Sequence, residues 1–458
     1  MRKVLVSVLC LALVFSMTAC GSSPANNTTA APATTAAAAA GADSSSSEAP
    51  TSETAVPAQT DHPDVVKVGV LFPMTGGSAV MGAQTLAGAR MAFDNHNASG
   101  GIQSMGGAKI ELILADTTGQ PEVGVTEAER LIVREGVDVL FGPYNSAVGA
   151  STAPVADRYG VPYLLVSANV DSIMENDYSY AFRANFPMSA AAMSMVEYFV
   201  DISKLRGTPG KDVFIVYENS DFGKGTADGL LDFSKEAGLE VKGMEGFTSN
   251  AADLSGIVLK IKEANPEIVF CTMYLNDAVL FTNQMHELDC NVPIFGAGGG
   301  FTIYDYIEKT GALSEGVMTV CGWNDDLLEH KPKETRELYE QFQSDYAPEP
   351  GALIDDHAAA GYTNAAILIR ALEDAGTVDK EAIRNAFATM DIQDPNDPVI
   401  AFQTYEGVKF EDVRNMHNQN PYALQNVAQV IDGTYRLVGP VNFFDGNTPA
   451  IWPIPSSR

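Results

Sequence analysis

From residue 65 onwards the sequence repeats one pattern of apolar and polar positions. A short, β-branched apolar run is followed by a turn rich in Gly, Pro or Asp, and then by a longer segment whose apolar residues recur at helical spacing. This pattern is typical of parallel strands joined by crossover helices. The apolar runs show little alternation, which favours sheets that are covered by helices on both faces.

The pattern occurs in two series. The first predicts strands at residues 65–72, 109–114, 137–141 and 161–166, with helices near 80–97, 121–134 and 146–159. The second begins after residue 183 and predicts strands at 212–217, 241–247, 267–271 and 292–295, with helices near 223–237, 251–264 and 278–288. The sequence therefore predicts an α/β protein with two doubly wound parallel sheets.

The C-terminal third has a different pattern. A strand is predicted at residues 317–321, and three successive helices near 333–346, 355–374 and 379–390. Residues 422–431 and 434–438 then predict a β-hairpin, with Asp432 and Gly433 in its tight turn. An isolated hairpin is only marginally stable, so we expect this one to join an existing sheet.

The N-terminus carries the features of a bacterial lipoprotein signal. Arg2 and Lys3 precede an apolar run at residues 4–15, and the run is too short to span a bilayer. Met17-Thr18-Ala19-Cys20 has the small-residue ending of such signals. We therefore predict removal of residues 1–19, lipidation of Cys20 with acyl chains such as palmitate, and an extracytoplasmic protein anchored to the cell membrane.

Residues 21–60 consist almost entirely of Ala, Ser, Thr, Pro, Asn and Gly. This composition cannot build a core, so residues 20–63 are predicted to form a disordered tether. The formal net charge of the chain is −30, which argues against binding to nucleic acid or direct adsorption to anionic lipid. The remaining body exceeds the size at which single cores stop growing, which predicts two domains or one large two-lobed body.

The sequence contains no recognisable catalytic or cofactor motif. Residues 296–300 are rich in glycine but lack the spacing of a dinucleotide-binding loop. Cys271, Cys290 and Cys321 are predicted to be buried structural thiols, although a disulfide between two of them stays open. His286 and Cys290 would share a helix face, but no second pair lies nearby, so we predict no metal site. We expect a binding protein rather than an enzyme.

Loops at the predicted strand ends reveal a resemblance to a known family. Residues 69–76 read GVLFPMTG, residues 88–92 read GARMA and residues 97–102 read NASGGI, and further short motifs continue in order to residue 433. In these segments the chain resembles the branched-chain amino acid and amide solute-binding proteins of ABC importers. The resemblance implies a type I periplasmic-binding fold, in which two lobes are joined by three hinge crossings and close around a ligand.

The resemblance also divides the body. The crossings are expected near residues 183–185, 320–322 and 405–407. The first lobe then comprises residues 64–184 and 320–405, and the second comprises residues 185–319 and 406–440. Residues 441–458 are left as a C-terminal tail.

Several ligand-binding residues of the first lobe follow from the resemblance. Ser146 corresponds to the family's ligand-carboxylate serine, although it would serve equally well as a helix N-cap. Ser167, Ala168 and Asn169 correspond to the loop that holds the polar head of the ligand, with Asn169 in place of a threonine. Met81 corresponds to a lid residue, with plain packing as the alternative.

The second lobe would contribute aromatic walls. Phe222 and Tyr274 match aromatic positions that cover the ligand, and Trp323 lies just beyond a hinge crossing. Such residues are as often part of a core as of a ligand wall, and we favour Tyr274 and Trp323 because both follow strand ends.

One position departs from the family pattern. Gly298 stands where the family has an acid that pairs with the ammonium group of an amino acid. A buried ammonium without a counter-charge is costly, so such a ligand would need another acid, for which Asp305, Asp277 and Asp325 are candidates. Otherwise the ligand is not zwitterionic, and amides, ureas and small carboxylates stay open.

The leading hypothesis is a lipid-anchored receptor that delivers a small polar organic ligand to the permease and ATPase of an ABC importer. A sensor that engages a signalling partner is the second, because the sequence does not separate sensing from transport. An extracytoplasmic enzyme is the third. Only the acidic segments at residues 325–326 and 355–357 suggest it, and we expect those segments to be solvated surface.

Overall fold

The computed structural model describes residues 63–205, 207–349, 351–440 and 450. The predicted signal segment, Cys20 and the tether up to residue 62 lie outside the described residues, as does most of the predicted C-terminal tail. Within the described part of the chain, no helix is both long and apolar enough to cross a membrane.

The described chain contains strands and helices that alternate over most of its length. The strands are β1 Val65–Phe72, β2 Lys109–Asp116, β3 Val139–Phe141, β4 Tyr163–Leu165, β5 Ala181–Arg183, β6 Asp212–Glu218, β7 Glu240–Phe247, β8 Ile268–Thr272, β9 Ile294–Ala297, β10 Met318–Cys321, β11 Asp391–Ile392, β12 Val408–Lys409, β13 Glu411–Val413, β14 Met416–Gln419, β15 Asn426–Ile431 and β16 Thr434–Gly439. The helices are α1 Ala79–Ala98, α2 Pro121–Arg130, α3 Ser146–Tyr159, α4 Asp171–Met174, α5 Met188–Leu205, α6 Asp221–Glu236, α7 Ser255–Ala264, α8 Leu275–Glu287, α9 Tyr304–Thr310, α10 Lys333–Gln341, α11 Asp356–Ala375 and α12 Lys380–Ala388.

Two seven-stranded sheets organise these elements. The first sheet has the order β13-β14-β5-β4-β3-β1-β2 and the second has the order β16-β15-β10-β9-β8-β6-β7. Strands β1 to β5 run parallel, as do β6 to β10, whereas β15 and β16 are antiparallel additions to the second sheet. The predicted class of two doubly wound lobes is confirmed. We call the two lobes first and second, after their sheets.

Sequence periodicity located most elements but missed a few. Helix α5 was not predicted, because a run of Ala, Met and other apolar residues at 188–205 shows little polar contrast. Helices α4 and α9 were not predicted either, and both are shorter than the span over which helical periodicity is reliable. The strand pair β13 and β14 also gave no signal, since its residues are mostly polar. The predicted hairpin is present as β15 and β16, with its turn at Asp432 and Gly433.

The third crossing between the lobes lies later than predicted. The sequence placed it near residues 405–407 and assigned residues 406–440 to the second lobe. In the structure β13 and β14 extend the first sheet, where Gln419 is paired with Arg183 of β5. The crossing therefore lies between Gln419 and Asn426, and only the hairpin belongs to the second sheet. The chain also passes from the first sheet to the second beyond β5, and it leaves the second sheet beyond β10.

Helices α1 and α11 of the first lobe pack with their backbones in close contact. A Cβ atom on Gly88 would lie 1.9 Å from the carbonyl oxygen of Ala358, and one on Gly361 would lie 2.0 Å from the carbonyl oxygen of Thr85. Both distances are far below a van der Waals contact, so each helix needs a glycine where it meets the other. This contact fixes the position of the α11 N-terminus, which reaches the cleft between the lobes.

Candidate functional site

A cavity lies at the carboxyl ends of strands from both sheets, where ligands bind in open α/β folds. Its space is about 40 Å³, enough for a few water molecules at most. An amino acid or a small aromatic acid therefore needs the walls to move apart from their positions in this structure. Ser146, Ser167, Asn169, Phe222, Tyr274 and Gly298, all predicted from the sequence, line it together.

One end of the cavity is formed by the N-terminus of α3. Ser146 is the first residue of this helix and Asn145 precedes it, so Ser146 is not the N-cap that the sequence left open. The Ser146 hydroxyl oxygen accepts from the amide of Val170 at 3.3 Å, which leaves its proton free to donate into the cavity. The amides in the first turn of a helix have no partner within it and favour a negative charge. This end can hold an anion.

The loop after β4 supplies further polar groups at the same end, where the Ser167 hydroxyl can donate and the Asn169 Oδ1 atom can accept. Ser167 and Asn169 line the cavity, and the Ser167 Oγ and Asn169 Oδ1 atoms are buried without a hydrogen-bond partner. Ala168 is buried and does not line the cavity with its side chain. Buried polar atoms without partners are costly, so these groups are available to a polar ligand.

A buried arginine lies directly behind this loop. Arg183, fully buried, donates from Nη1 to the carbonyl oxygens of Val170 at 2.8 Å and Ala168 at 3.3 Å, and from Nε to Gln419 Oε1 at 2.6 Å. No carboxylate among the described residues forms an ion pair with it. Burial lowers the pKa of Arg183 to about 10, so the guanidinium is still cationic at neutral pH. Its charge lies behind the anion-binding end and favours an anion there.

The opposite part of the cavity is formed by the start of α11. Asp356 Oδ1 accepts from the amides of Gly322 at 2.7 Å and Trp323 at 3.0 Å, and Asp356 is the single acidic residue among the described residues that line the cavity. Burial raises the pKa of Asp356 to about 6, so the carboxyl is largely ionised at neutral pH. The expectation that residues 355–357 form solvated surface was wrong, because α11 packs against α1 and carries them inside.

His357 and Tyr144 lie beside Asp356. Their rings are 5.2 Å apart in an edge-to-face arrangement, and His357 Nε2 is buried without a partner. Burial lowers the pKa of His357 to about 4, so the ring is neutral. A neutral imidazole can donate or accept one hydrogen bond from this nitrogen, depending on its tautomer. Neither residue was predicted as part of the site.

The second lobe closes the cavity with aromatic rings. Phe222 and Tyr274 lie 5.4 Å apart, and Asn145 of the first lobe donates to Tyr274 Oη at 3.4 Å. Gly298 has a φ of +81°, and a Cβ atom there would lie 2.2 Å from the Phe222 ring. The packing around Phe222 therefore leaves no room for an acidic side chain at residue 298.

Two of the predicted wall residues do not line the cavity. Met81 is fully buried in the core of the first lobe, although its Cγ would lie 3.3 Å from a Cβ atom on Gly299. Trp323 is 2% exposed and packs against Phe402 at 5.2 Å. Its contribution to the cavity is indirect, since its backbone amide holds Asp356.

The three acids suggested as replacements at residue 298 do not line the cavity. Asp277 accepts from the amides of Asn250 and Ala251, Asp305 pairs with Lys309, and Asp325 accepts from Tyr304. Asp356 lines the cavity instead. It was overlooked because three adjacent polar residues at the start of a helix are typical of a solvated helix end.

The cysteines are as predicted. Cys271, Cys290 and Cys321 are buried free thiols. Among the described residues, no three His, Cys, Asp or Glu side chains are grouped as a metal ion would require.

Comparison with known proteins places the chain in a family. A family model described as periplasmic binding protein matches residues 65–419. The Leu/Ile/Val-binding protein homolog 8 of Brucella melitensis is 31% identical over 382 residues, which cover 82% of this chain and 91% of that protein. The Leu/Ile/Val-binding protein homolog 7 of Brucella suis is 29% identical over 391 residues, which cover 84% of this chain and 93% of that protein.

Solved structures share the fold. The branched-chain amino acid substrate-binding protein LivJ of Streptococcus pneumoniae, in complex with isoleucine, superposes with a TM-score of 0.69 at 21% identity, covering 82% of this chain and all of its own. A solute-binding protein of Rhodopseudomonas palustris in complex with 3,4-dihydroxybenzoic acid has a TM-score of 0.67 at 20% identity, covering 81% of this chain and 95% of its own.

Proposed function

We propose that this chain, which belongs to the periplasmic binding protein family, is a lipid-anchored receptor that delivers a small organic carboxylate to an ABC importer. The observation that carries the proposal is the anion-binding end of the cleft. There, Ser146 and Ser167 have free hydroxyl donors, and Arg183 supplies a buried positive charge behind them.

The ligand class follows from the two ends of the cavity. A carboxylate fits the end at Ser146, and Asp356 offers a counter-charge for an ammonium group or an acceptor for a hydroxyl. Phe222, Tyr274 and Tyr144 supply aromatic walls between these ends. An α-amino acid with an apolar or aromatic side chain satisfies all three features. Simple aromatic acids satisfy two, since they leave Asp356 without a cationic partner.

Delivery requires the lobes to close on the ligand. The lobes already meet in this structure through Asn145 and Tyr274, whereas the cavity is too small for the proposed ligands. Opening and reclosing about the three crossings would therefore admit the ligand and present a closed form to the permease. Cys20 and residues 21–62 would hold the body near that permease as anchor and tether.

The test is a ligand panel on protein that has been unfolded and refolded to remove any bound solute. We expect one or more amino acids to raise the melting temperature, with about 2.7 kcal/mol of stabilisation at a hundredfold excess over Kd. Each amino acid is compared with its decarboxylated amine and its deaminated acid, which separate the two ends. Mass spectrometry of solutes that co-purify before unfolding identifies the natural ligand. If neither amino acids nor aromatic acids give a thermal shift or a calorimetric signal, the proposal fails.

Anchoring and transport need separate tests. Labelling of cells with a radioactive fatty acid should mark the chain, and replacement of Cys20 by Ser should abolish the label and release the protein from the membrane. Deletion of the chain should abolish uptake of the identified ligand. Loss of a transcriptional response with normal uptake would instead identify the sensor, and conversion of the ligand during long incubation would identify an enzyme.

A further inference from the structure

A second cavity lies between α1, α9 and the segment that precedes α11. We call it the acidic groove. It has a volume of about 540 Å³, and none of the described residues that line it also lines the cleft cavity. Gln84, Glu349 and Asp355 come from the first lobe, and Tyr304, Asp305 and Glu308 come from the second, so both lobes form its walls.

The lining of the acidic groove is negative, although burial raises the pKa of Asp355 to about 7, so this carboxyl is only partly ionised at neutral pH. Asp305, Glu308, Glu349 and Asp355 contribute four carboxyl groups, and no Lys, Arg or His residue is among the described residues that line it. Lys309 pairs with Asp305 at 2.6 Å, and it lies outside the lining. Glu308 and Glu349 form no ion pair with any other described residue. The groove therefore attracts cations and repels anions.

Asp355 gives this negative groove a specific contact point. The residue is 3% exposed, and its Oδ1 atom accepts from the amide of Ala358 at 2.8 Å as the cap of α11. Its Oδ2 atom is buried and has no hydrogen-bond partner. The Oε1 atom of Gln84, on the facing helix α1, is also buried without a partner. Two buried acceptors without donors are costly unless a bound group supplies N–H bonds.

We propose that the acidic groove binds a small organic cation, an alkylammonium or an alkylguanidinium, whose N–H groups donate to Asp355 Oδ2 and Gln84 Oε1. An organic cation fits better than a metal ion, because the described residues contain no group of three ligating side chains. Val80, Leu353 and Ala352 give the groove an apolar wall for the alkyl chain. This site goes beyond the cleft and does not depend on which solute the cleft binds.

Occupation of the acidic groove has a consequence for the two lobes. The carboxyl groups of Asp355 and Glu349 lie on the first lobe and those of Asp305 and Glu308 lie on the second. Like charges on facing walls repel each other, and a cation between them removes part of that repulsion. A bound cation therefore favours the closed arrangement of the lobes, and this raises the affinity of the cleft for its ligand. By linkage, the cleft ligand raises the affinity of the groove for the cation by the same factor.

The test is calorimetric titration of the full-length protein with n-butylammonium and n-butylguanidinium at constant ionic strength, with n-butanol as the neutral probe. We expect saturable binding of at least one cation and none of butanol. Asp355→Asn keeps a helix cap but removes the charge, and it should weaken cation binding by about tenfold or more. The double variant Glu308→Gln and Glu349→Gln should weaken it several-fold without touching the core.

A matched control removes the same charge elsewhere. Glu236 and Glu240 are exposed residues of the second lobe outside the groove, and their double change to Gln should leave cation binding unaltered. Absence of cation binding at millimolar concentration would overturn the proposal. Equal binding by butanol would do so too, as would equal losses in the groove and control variants. If Asp355→Asn fails to fold, the Glu308 and Glu349 variant decides the outcome alone. The titrations are run on protein freed of cleft ligand, so a failure of cation binding is distinguishable from a failure of the proposed function.

Discussion

Asn145 and Tyr274 meet across the cleft, with Asn145 Nδ2 donating to Tyr274 Oη at 3.4 Å. The same Nδ2 donates to Ser78 Oγ at 3.1 Å, so the amide is held on its own lobe while it reaches the other. Tyr274 in turn stacks near Phe222, which fills the space above Gly298. The closed arrangement thus depends on a contact between residues that also line the ligand cavity.

Replacement of Tyr274 by Phe tests this contact. The change keeps the ring and removes the hydroxyl, so the closed form loses one hydrogen bond of about 0.5–1.5 kcal/mol. We expect ligand affinity to fall by about two- to tenfold, mainly through faster dissociation, with little change in melting temperature without ligand. Stopped-flow and calorimetric titrations measure both effects. Tyr159→Phe, at an exposed position, is the control, and equal affinity in wild type and Tyr274→Phe would contradict the role of this contact.

The double change of Ser146 and Asn169 to Ala tests the anion-binding end. Ser146 Oγ accepts one hydrogen bond from the Val170 amide, and Asn169 Oδ1 has no partner, so the two changes remove few contacts that stabilise the fold. We expect no measurable ligand binding and a loss of unfolding free energy of at most about 1–2 kcal/mol. Thermal unfolding and calorimetry provide the two readouts. Ligand binding that survives both changes would show that the carboxylate lies elsewhere.

Arg183 is expected to affect both stability and ligand charge preference. Arg183→Met leaves the buried carbonyl oxygen of Ala168 without its donor and leaves that of Val170 with only the 3.4 Å bond from the Ile173 amide, and a buried unsatisfied group costs about 1–3 kcal/mol. Arg183→Lys keeps the charge but cannot reach both carbonyls and Gln419 together. We therefore compare, for each variant, the affinity for a carboxylate ligand with the affinity for its neutral amide. The preference for the carboxylate should fall more in Arg183→Met than in Arg183→Lys.

Chemical denaturation at neutral pH gives the stability of both Arg183 variants, and calorimetry gives the two affinities. The ratio of the carboxylate affinity to the amide affinity is taken within one variant, so a smaller folded fraction of that variant does not change it. Equal ratios in the two variants would show that the positive charge has no influence on the ligand.

The α11 carboxyls should make stability depend on pH. Burial raises the pKa of Asp355 to about 7 and that of Asp356 to about 6, from an ordinary value of 3.8. The folded protein thus holds more protons than the unfolded chain between about pH 4 and pH 7, and these groups lower the free energy of unfolding as pH rises through that window. The double variant Asp355→Asn and Asp356→Asn should lose this decline, which for each carboxyl approaches about 1.4 kcal/mol per pH unit.

His357 acts in the opposite sense, and the measurement must separate it. Burial lowers the pKa of His357 to about 4 from 6.5, so its contribution to stability is lost as pH falls from about 6.5 towards 4. The difference in unfolding free energy between wild type and the double Asn variant removes this common contribution. Urea denaturation across pH 4 to 8 without ligand gives that difference, and a flat difference curve would contradict the assignment.

The fold could be predicted from the sequence because strands and helices in a doubly wound protein carry strong, separate periodicities. Strand β1 and helix α3 have the predicted bounds, since each is bordered by clear turn residues. The third crossing was misplaced because β13 and β14 are short and polar, and their membership of the first sheet depends on pairing with the distant strand β5. Sequence periodicity carries no information about such long-range pairing.

Site residues on loops that directly follow strands could be predicted from the sequence. Site residues on helix α11, which reaches the cavity through tertiary packing, could not. Ser146, Asn169 and Tyr274 follow strand ends, and they line the cavity as the resemblance implied. Asp356 and His357 reach the same cavity from α11, more than two hundred residues after Ser146, and only tertiary packing brings them there. The burial of Trp323 likewise depends on Phe402, which nothing in the local sequence indicates.

The glycine contacts between α1 and α11 determine which cavity residues can be exchanged when ligand specificity evolves. Because Gly88 and Gly361 bring the two helix backbones together, the start of α11 cannot shift without unpacking the first lobe. Side chains at residues 355–357 can be exchanged on this fixed platform, while the opposing loop at Gly298 is restricted by Phe222. Among relatives that keep both Phe222 and the glycine at residue 298, a change of ligand should therefore appear at the first turn of α11 sooner than in the glycine loop that faces it.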